Sequence, residues 1–312
     1  MKIPLISLSI LCAMNMATAQ ILIPKFDLQG HRGARGLMPE NSVPAFLLAL
    51  DSGVTTLEMD LTISKDKQVI VSHDAYMNAD FCIDPNGNAI KQSNEKKYNI
   101  YKMDYAEVKL WDCGSKGNPK FVQQQKIKVS KPLLSDVIVA AENHIKNFTR
   151  YEVDYNIEIK SEKSGDNIFH PKPEEFSDLV YKVIDDYLPW ERVVIQSFDI
   201  RVLKYWHQKY PQVKLSLLIE NLKDSKDNIA ELGFVPDIYS PDFHLLDKNE
   251  LTHLHSQIVT RKNQKPKTMR IIPWTVNEEK DMKDLKDMGL DGIITDYPDR
   301  ARKLKLTLNV KK

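Results

Sequence analysis

The sequence predicts an α/β protein, a (β/α)8 TIM barrel with a small inserted capping subdomain after the third strand. Three observations lead there. Short apolar or alternating runs are mostly separated by helix-length segments; two of those runs carry acidic groups on one face only; and residues 75–131 break the rhythm.

In chain order, strands are expected at Phe26–Gly30, Thr56–Leu61, Val69–His73, Tyr155–Lys160, Arg192–Phe198, Lys214–Glu220, Ile238–Asp242, Ile271–Val276 and Gly292–Thr295. Helical periodicity is expected over Val43–Asp51, Leu134–Lys146, Pro173–Tyr187, Ile200–Lys209, Asp247–Arg261 and Glu278–Met288, the last closed by Gly289. Nine strand candidates are one too many for the barrel, and the sequence does not say which lies outside it. The link from Leu61 to Val69 is too short for a helix and reads as a tight turn at Asp66-Lys67. Residues 75–131 are rich in Asn, Lys and Gln but also hold Tyr98, Tyr101, Tyr105, Leu110 and Trp111, which favours a folded lobe over a loose linker.

The chain has 312 residues, 42% of them hydrophobic, enough for a large core; 44 basic residues balance 43 acidic ones. That balance lends no support to nucleic acid as a partner or to a globally basic membrane-binding protein. Lys2, the apolar stretch Ile3–Met14 and Ala17-Thr18-Ala19 read as a signal peptide over residues 1–19, so the mature domain spans 20–312 and is expected to be exported, periplasmic or secreted. The apolar run is shorter than the roughly 20 residues of a transmembrane span. An uncleaved anchor is the rival reading, and lipid attachment at Cys12 is disfavoured by the bulk of Leu11. Cys82 and Cys113 remain, either as a disulfide or as two unpaired thiols.

Alternate residues of a strand share a face. In Leu57-Glu58-Met59-Asp60-Leu61 two carboxylates share one side and three apolar groups the other, and Ile157-Glu158-Ile159-Lys160 repeats the pattern. In a parallel barrel the apolar side meets the helices, so the acids face the barrel mouth. Two like charges about 4 Å apart cost roughly 4 kcal/mol at an effective dielectric of 20, so Glu58, Asp60 and Glu158 together call for a cation or a proton. An all-oxygen set suits one divalent cation, calcium or magnesium. His31 and His73, at the ends of strand candidates, have the side chain suited to proton transfer near neutrality. Arg32 can grip a phosphate bidentately and Lys160 can add a point charge. The six other histidines read as ordinary surface or core residues; His253 and His255, two apart on one helix, cannot share a ligand.

The segments HRGARGLMPENSVPAF, EMDLTISKDKQVIVSHD and IEIK resemble the glycerophosphodiester phosphodiesterase family. The resemblance runs on through Gln196-Ser197-Phe198, Tyr239-Ser240-Pro241 and Trp274-Thr275-Val276-Asn277 to Asp291-Gly292-Ile293-Ile294-Thr295-Asp296. Lys131-Pro132-Leu133-Leu134, where the inserted lobe rejoins the barrel, resembles the family's Ile-Pro-Thr-Leu. Ser42 stands for the family's threonine after Pro39-Glu40-Asn41, and Lys67 for its usual glycine. The resemblance implies His31 and His73 as the catalytic pair, Glu58, Asp60 and Glu158 as metal ligands, and Arg32 and Lys160 as phosphate binders. Glu40, Asn41 and Trp274 would belong to the substrate pocket, Trp274 on its glycerol side.

These readings converge on metal-dependent hydrolysis of a small-molecule glycerophosphodiester to glycerol 3-phosphate and an alcohol. Either water attacks phosphorus directly, or the glycerol 2-hydroxyl attacks first and leaves a cyclic phosphate for water to open. A phospholipase on intact lipids would want an exposed apolar rim, and no strongly apolar loop stands out in the sequence. A non-catalytic surface binding protein on the same barrel would have no need of the complete set of reacting groups.

Overall fold

The computed structural model describes residues 26–149, 151–261 and 265–306. The expected signal peptide and Cys12 lie outside them. Among the described residues no helix is long and apolar enough to cross a membrane.

Eight parallel strands form the nearly closed barrel: β1 (Asp27–Gly30), β2 (Thr56–Ile63), β4 (Asp154–Ile159), β5 (Val193–Ser197), β6 (Lys214–Ile219), β7 (Ile238–Pro241), β10 (Arg270–Ile271) and β11 (Gly292–Thr295). They follow one another around the ring in that order. β11 pairs with β1, and backbone bonds from Ile294 N to Pro273 O and from Val276 N to Ile294 O, both 2.9 Å, bridge the seam beside β10. Leu57, Met59 and Leu61 of β2 are fully buried in the core shared with the surrounding helices, including Phe46 of α1 (Val43–Asp51), Ile138 of α3 (Leu134–Phe148) and Phe176 of α4 (Pro173–Tyr187). The alternate residues point into the barrel. There Asn156 donates to Gln29 Oε1 at 2.7 Å and to Gln196 Oε1 at 2.9 Å, forming a floor of amides below the mouth.

The ninth strand candidate is β3 (Val69–Val71), which runs antiparallel to β2 rather than entering the ring. The hairpin turns through Ser64–Gln68 with Lys67 in the left-handed region at φ 63°, as the short link requires. The expected strand Ile271–Val276 is a ladder of only Arg270–Ile271 against β7, although Ile272 N still donates to Tyr239 O at 3.1 Å and Trp274 N to Pro241 O at 3.0 Å. A helix was expected over Asp247–Arg261, but α7 is Lys248–His255. The chain then extends into β8 (Ile258–Val259), which pairs antiparallel with β9 (Lys267–Thr268). Helix α5 (Ile200–Lys209) matches its expected bounds, and α8 covers Glu279–Asp287; α6 (Ser225–Leu232) and α9 (Pro298–Lys303) were not read from the sequence.

Residues 75–131 fold as a lobe with its own small core of Met77, Phe81, Cys82, Ile100, Val108 and Trp111. It holds the short helix α2 (Tyr105–Val108) and a disulfide between Cys82 and Cys113. Gln124 Nε2 donates to Arg35 O, and Gln125 N to Leu37 O, both at 2.8 Å, which ties the lobe to the loop after β1.

Candidate active site

Strand register assembles the acidic centre. Asp60 of β2 lies opposite Glu158 of β4, and Glu58 lies one inward-facing step below Asp60, opposite Asn156. Each of the three offers an oxygen within 4.8 Å of the others, and all three side chains are buried. Burial, then the charges of Asp60 and Glu158, pushes the Glu58 carboxyl well above its ordinary range. Burial likewise raises Glu158. Asp60 is depressed: burial opposes this, but the cations around it, Arg32 foremost, prevail.

The remaining lone pairs are largely taken. Glu58 accepts from Arg32 N and Gln196 Nε2, both at 2.8 Å, and Asp60 Oδ2 accepts from Asn41 Nδ2 at 2.8 Å. Asp60 Oδ1 is buried without a partner. An orphaned carboxylate oxygen beside two further carboxylates fits a hard divalent cation, which would satisfy it and relieve the repulsion. Arg32 adopts φ 51° and Gly33 φ 84°. This left-handed turn brings the Arg32 N–H onto Glu58, and a Cβ at Gly33 would come within 2.6 Å of the Ala45 backbone.

His31 follows β1 as Asp296 follows β11, and the two strands are in register at Gly30 and Thr295. The His31 ring Nδ1 therefore lies 2.7 Å from Asp296 Oδ1. Asp296 also accepts from Arg35 Nε at 2.8 Å and Asn277 Nδ2 at 2.8 Å. Burial and the nearby Arg35 charge lower His31 to about 4, against the opposing pull of Asp296. His73 reaches the mouth by the β2–β3 hairpin, since Ser72 N donates to Asp60 O at 2.8 Å. Its Nδ1 lies 3.1 Å from Asp74 Oδ1, and Asp74 is held by Asn78 Nδ2 at 2.8 Å. Each imidazole thus has one nitrogen committed to a carboxylate and the other left for chemistry.

His31, Arg32, Glu58, His73, Glu158, Lys160 and Trp274 line one cleft of about 650 Å³ at the carboxyl ends of the strands. Lys160 Nζ pairs with Glu158 Oε1 at 2.9 Å. Arg32 NH1 pairs with Glu40 at 2.9 Å, and its Nε lies 3.1 Å from Asp60 Oδ2. Glu40 and Asn41, expected in the pocket, stand behind its wall, where they brace Arg32 and Asp60. Trp274 closes the other side, edge-on to Phe198 with ring centroids 5.4 Å apart. Sequence reasoning assigned no role to Asp74, Gln196 or Asp296. For Asp296 and Gln196 the signal was positional, since one directly follows β11 and the other is the last residue but one of β5, at the carboxyl end of a barrel strand. Asp74 offered only its place beside His73.

A barrel with an acidic centre between two carboxylate-held histidines defines a hydrolytic enzyme of the barrel class. The glycerophosphoryl diester phosphodiesterase family model matches residues 31–300, and the chain belongs to that family of enzymes, which hydrolyse glycerophosphodiesters. The glycerophosphodiester phosphodiesterase of Bacillus altitudinis is 28% identical over 281 residues, covering 88% of this chain and 96% of its own. A human lysophospholipase D is 25% identical over 281 residues, covering 87% of this chain and 83% of its own. Among solved structures, an Oleispira antarctica phosphodiesterase in complex with the product sn-glycerol-3-phosphate shares the fold at a TM-score of 0.67 and 19% identity, over 89% of this chain and 95% of that one.

Proposed function

We propose that the chain is an exported phosphodiesterase that uses a divalent cation, calcium or magnesium, and two histidines to convert glycerophosphodiesters to glycerol 3-phosphate and an alcohol. The observation that carries this reading is the placement of His31, His73, Glu58 and Glu158 around one cleft, with Asp60 clustered behind the two glutamates and each histidine fixed by its own acid. The product-bound Oleispira relative supports glycerol 3-phosphate as a product. Export rests on the amino-terminal pattern and on the Cys82–Cys113 disulfide, a bond that persists in oxidising compartments.

Glu58, Asp60 and Glu158 would hold the cation, which supplies charge neutralisation at the phosphoryl and glycerol oxygens. Arg32 and Lys160 add positive charge at the phosphate, where negative charge grows in the transition state. His31, held neutral by burial, accepts the proton of the attacking water, or of the glycerol 2-hydroxyl whose cyclic phosphate water then opens, as the attacking oxygen bonds to phosphorus. His73 gives its proton to the departing alkoxide as the phosphorus–oxygen bond breaks. Trp274 and Phe198 pack against the glycerol carbons.

The test compares a glycerophosphodiester with an alkoxide leaving group and one with p-nitrophenol. His31→Ala is expected to lose at least about 1,000-fold in kcat on both. His73→Ala loses a similar factor on the first but little on the second, because a phenolate leaves without a proton. Wild-type turnover by either variant on the alkoxide substrate would reject that histidine's role.

A further inference from the structure

The mouth of the barrel is ringed by apolar tips. Val122 is 93% exposed and Leu222 is 90% exposed, the two highest values among the exposed large hydrophobics described, and Ile168 is 50% exposed. Val122 lies on the lobe segment tied over the loop that follows β1, Ile168 on the loop after β4, and Leu222 on the loop after β6. Around the ring β1 and β6 are diametrically opposite, with β4 midway between them. The three tips therefore stand a quarter-turn apart at the end of the barrel where the cleft opens.

Each tip is anchored beneath. Phe121, next to Val122, packs on Tyr297 at 6.4 Å and lies under the Arg35 guanidinium at 4.7 Å. Asn99 Nδ2 donates to Ile168 O at 2.8 Å, and Lys223 N donates to Asn221 Oδ1 at 2.9 Å beside Leu222. Lys120 and Lys126 stand on either side of Val122 with no acid between them. Charges of both signs border the other two tips, Glu162, Lys163 and Asp166 before Ile168 and Glu220, Lys223 and Asp224 around Leu222, with Asp166 paired to Arg201. Residues 75–130 hold nine lysines, no arginine and six carboxylates, so the lobe is basic in a chain whose net charge is only +1; Lys131, the next residue, is buried. Glu162 and Glu220 line the cleft itself, with Glu58, Asp74 and Glu158.

Single exposed apolar side chains are ordinary; three on a ring beside a basic lobe are the pattern of an interfacial surface. We infer that the mouth of this enzyme docks on an anionic lipid surface, with Val122, Ile168 and Leu222 entering the headgroup layer and the lobe lysines pairing with lipid phosphates. This rests on the proposed reaction: a docked mouth would take a lysophospholipid, the substrate class in the name of the human relative, from the surface, its phosphodiester entering the cleft while its acyl chain leaves between the tips. The apolar rim missing from the sequence is present in the fold because its members are 46 and 54 residues apart along the chain.

The test uses full-length wild-type chain and the Val122→Asp/Ile168→Asp/Leu222→Asp triple variant, so that the amino terminus contributes equally to both. Wild type should float with vesicles of phosphatidylglycerol and phosphatidylcholine, and weakly with phosphatidylcholine alone. The variant should bind at least about 100-fold more weakly. Turnover of dispersed glycerophosphoglycerol should match within twofold, while hydrolysis of lysophosphatidylglycerol in the anionic vesicles should fall at least tenfold. A wild-type chain that stays soluble, or a triple variant that floats equally well, overturns the docking surface. Flotation by a chain with no turnover of the dispersed ester overturns the proposed reaction and leaves docking standing.

Discussion

Lys131 donates its ammonium to Ser72 Oγ across 2.7 Å, one residue before His73. Ser72 Oγ in turn donates to Asp74 O at 2.7 Å. The lysine is buried, stands where the family resemblance has isoleucine, and is held below its ordinary pKa by that burial, with the Asp74 and Glu40 charges opposing. A charge kept in so dry a position braces the turn that presents His73.

Replacing Lys131 with methionine should therefore lower kcat about tenfold or more while KM stays within twofold. The melting temperature should hold or rise, because a buried cation is removed. In a His73→Ala background the same substitution should cost little further. Steady-state kinetics on the double-mutant cycle checks this, and an equal loss in both backgrounds would place Lys131's effect elsewhere.

The acidic centre makes a prediction about stability as well as activity. Chelation should abolish turnover, and calcium or magnesium at about 100 times its Kd should add about 2.7 kcal/mol, near 5 °C or more in Tm for a domain of this size. Glu158→Gln should lose that shift, yet in chelator be at least as stable as wild type, since burial opposes its charge. Differential scanning calorimetry with and without each ion distinguishes these outcomes.

At the far end of the barrel, burial foremost pushes Asp154 up to about 6, against the cations of Lys214, Arg192 and Arg270. A carboxyl whose folded pKa lies above its ordinary 3.8 binds more protons folded than unfolded, so stability falls as pH rises from about 4 through 6. Asp154→Asn should remove that loss. It should stabilise the protein by up to about 3 kcal/mol at pH 7, and the gain should vanish below pH about 4. Denaturant titrations of both proteins at pH 4, 5.5 and 7 measure it, with activity unchanged because the cleft lies at the other end.

The barrel was legible because its signal is local: Glu58 and Asp60 alternate with Leu57, Met59 and Leu61, and a period of two needs only five residues to show. The same locality hid the direction of β3, since Val69–Val71 reads alike in a parallel or antiparallel ladder. Helix α6 was missed because Ser225–Leu232 offers only Ile229 and Leu232 as spaced large apolar residues. The overlong α7 ran past its end because Ser256 and Gln257 carry no strong stop signal; the β8–β9 hairpin ends it. At the site, identities were visible and partnerships were not. Asp296 reaches His31 across 265 positions, a relation created by the pairing of the first and last barrel strands.

The disulfide between Cys82 and Cys113 staples the lobe alone and touches no barrel strand. Two properties that usually travel together can consequently part company. Material produced in a reducing cytoplasm would carry a sound barrel under a slack roof, passing a global unfolding assay while the wall bearing Val122 and the approach to His73 wander. For this enzyme, redox history during production belongs beside sequence as a determinant of specific activity.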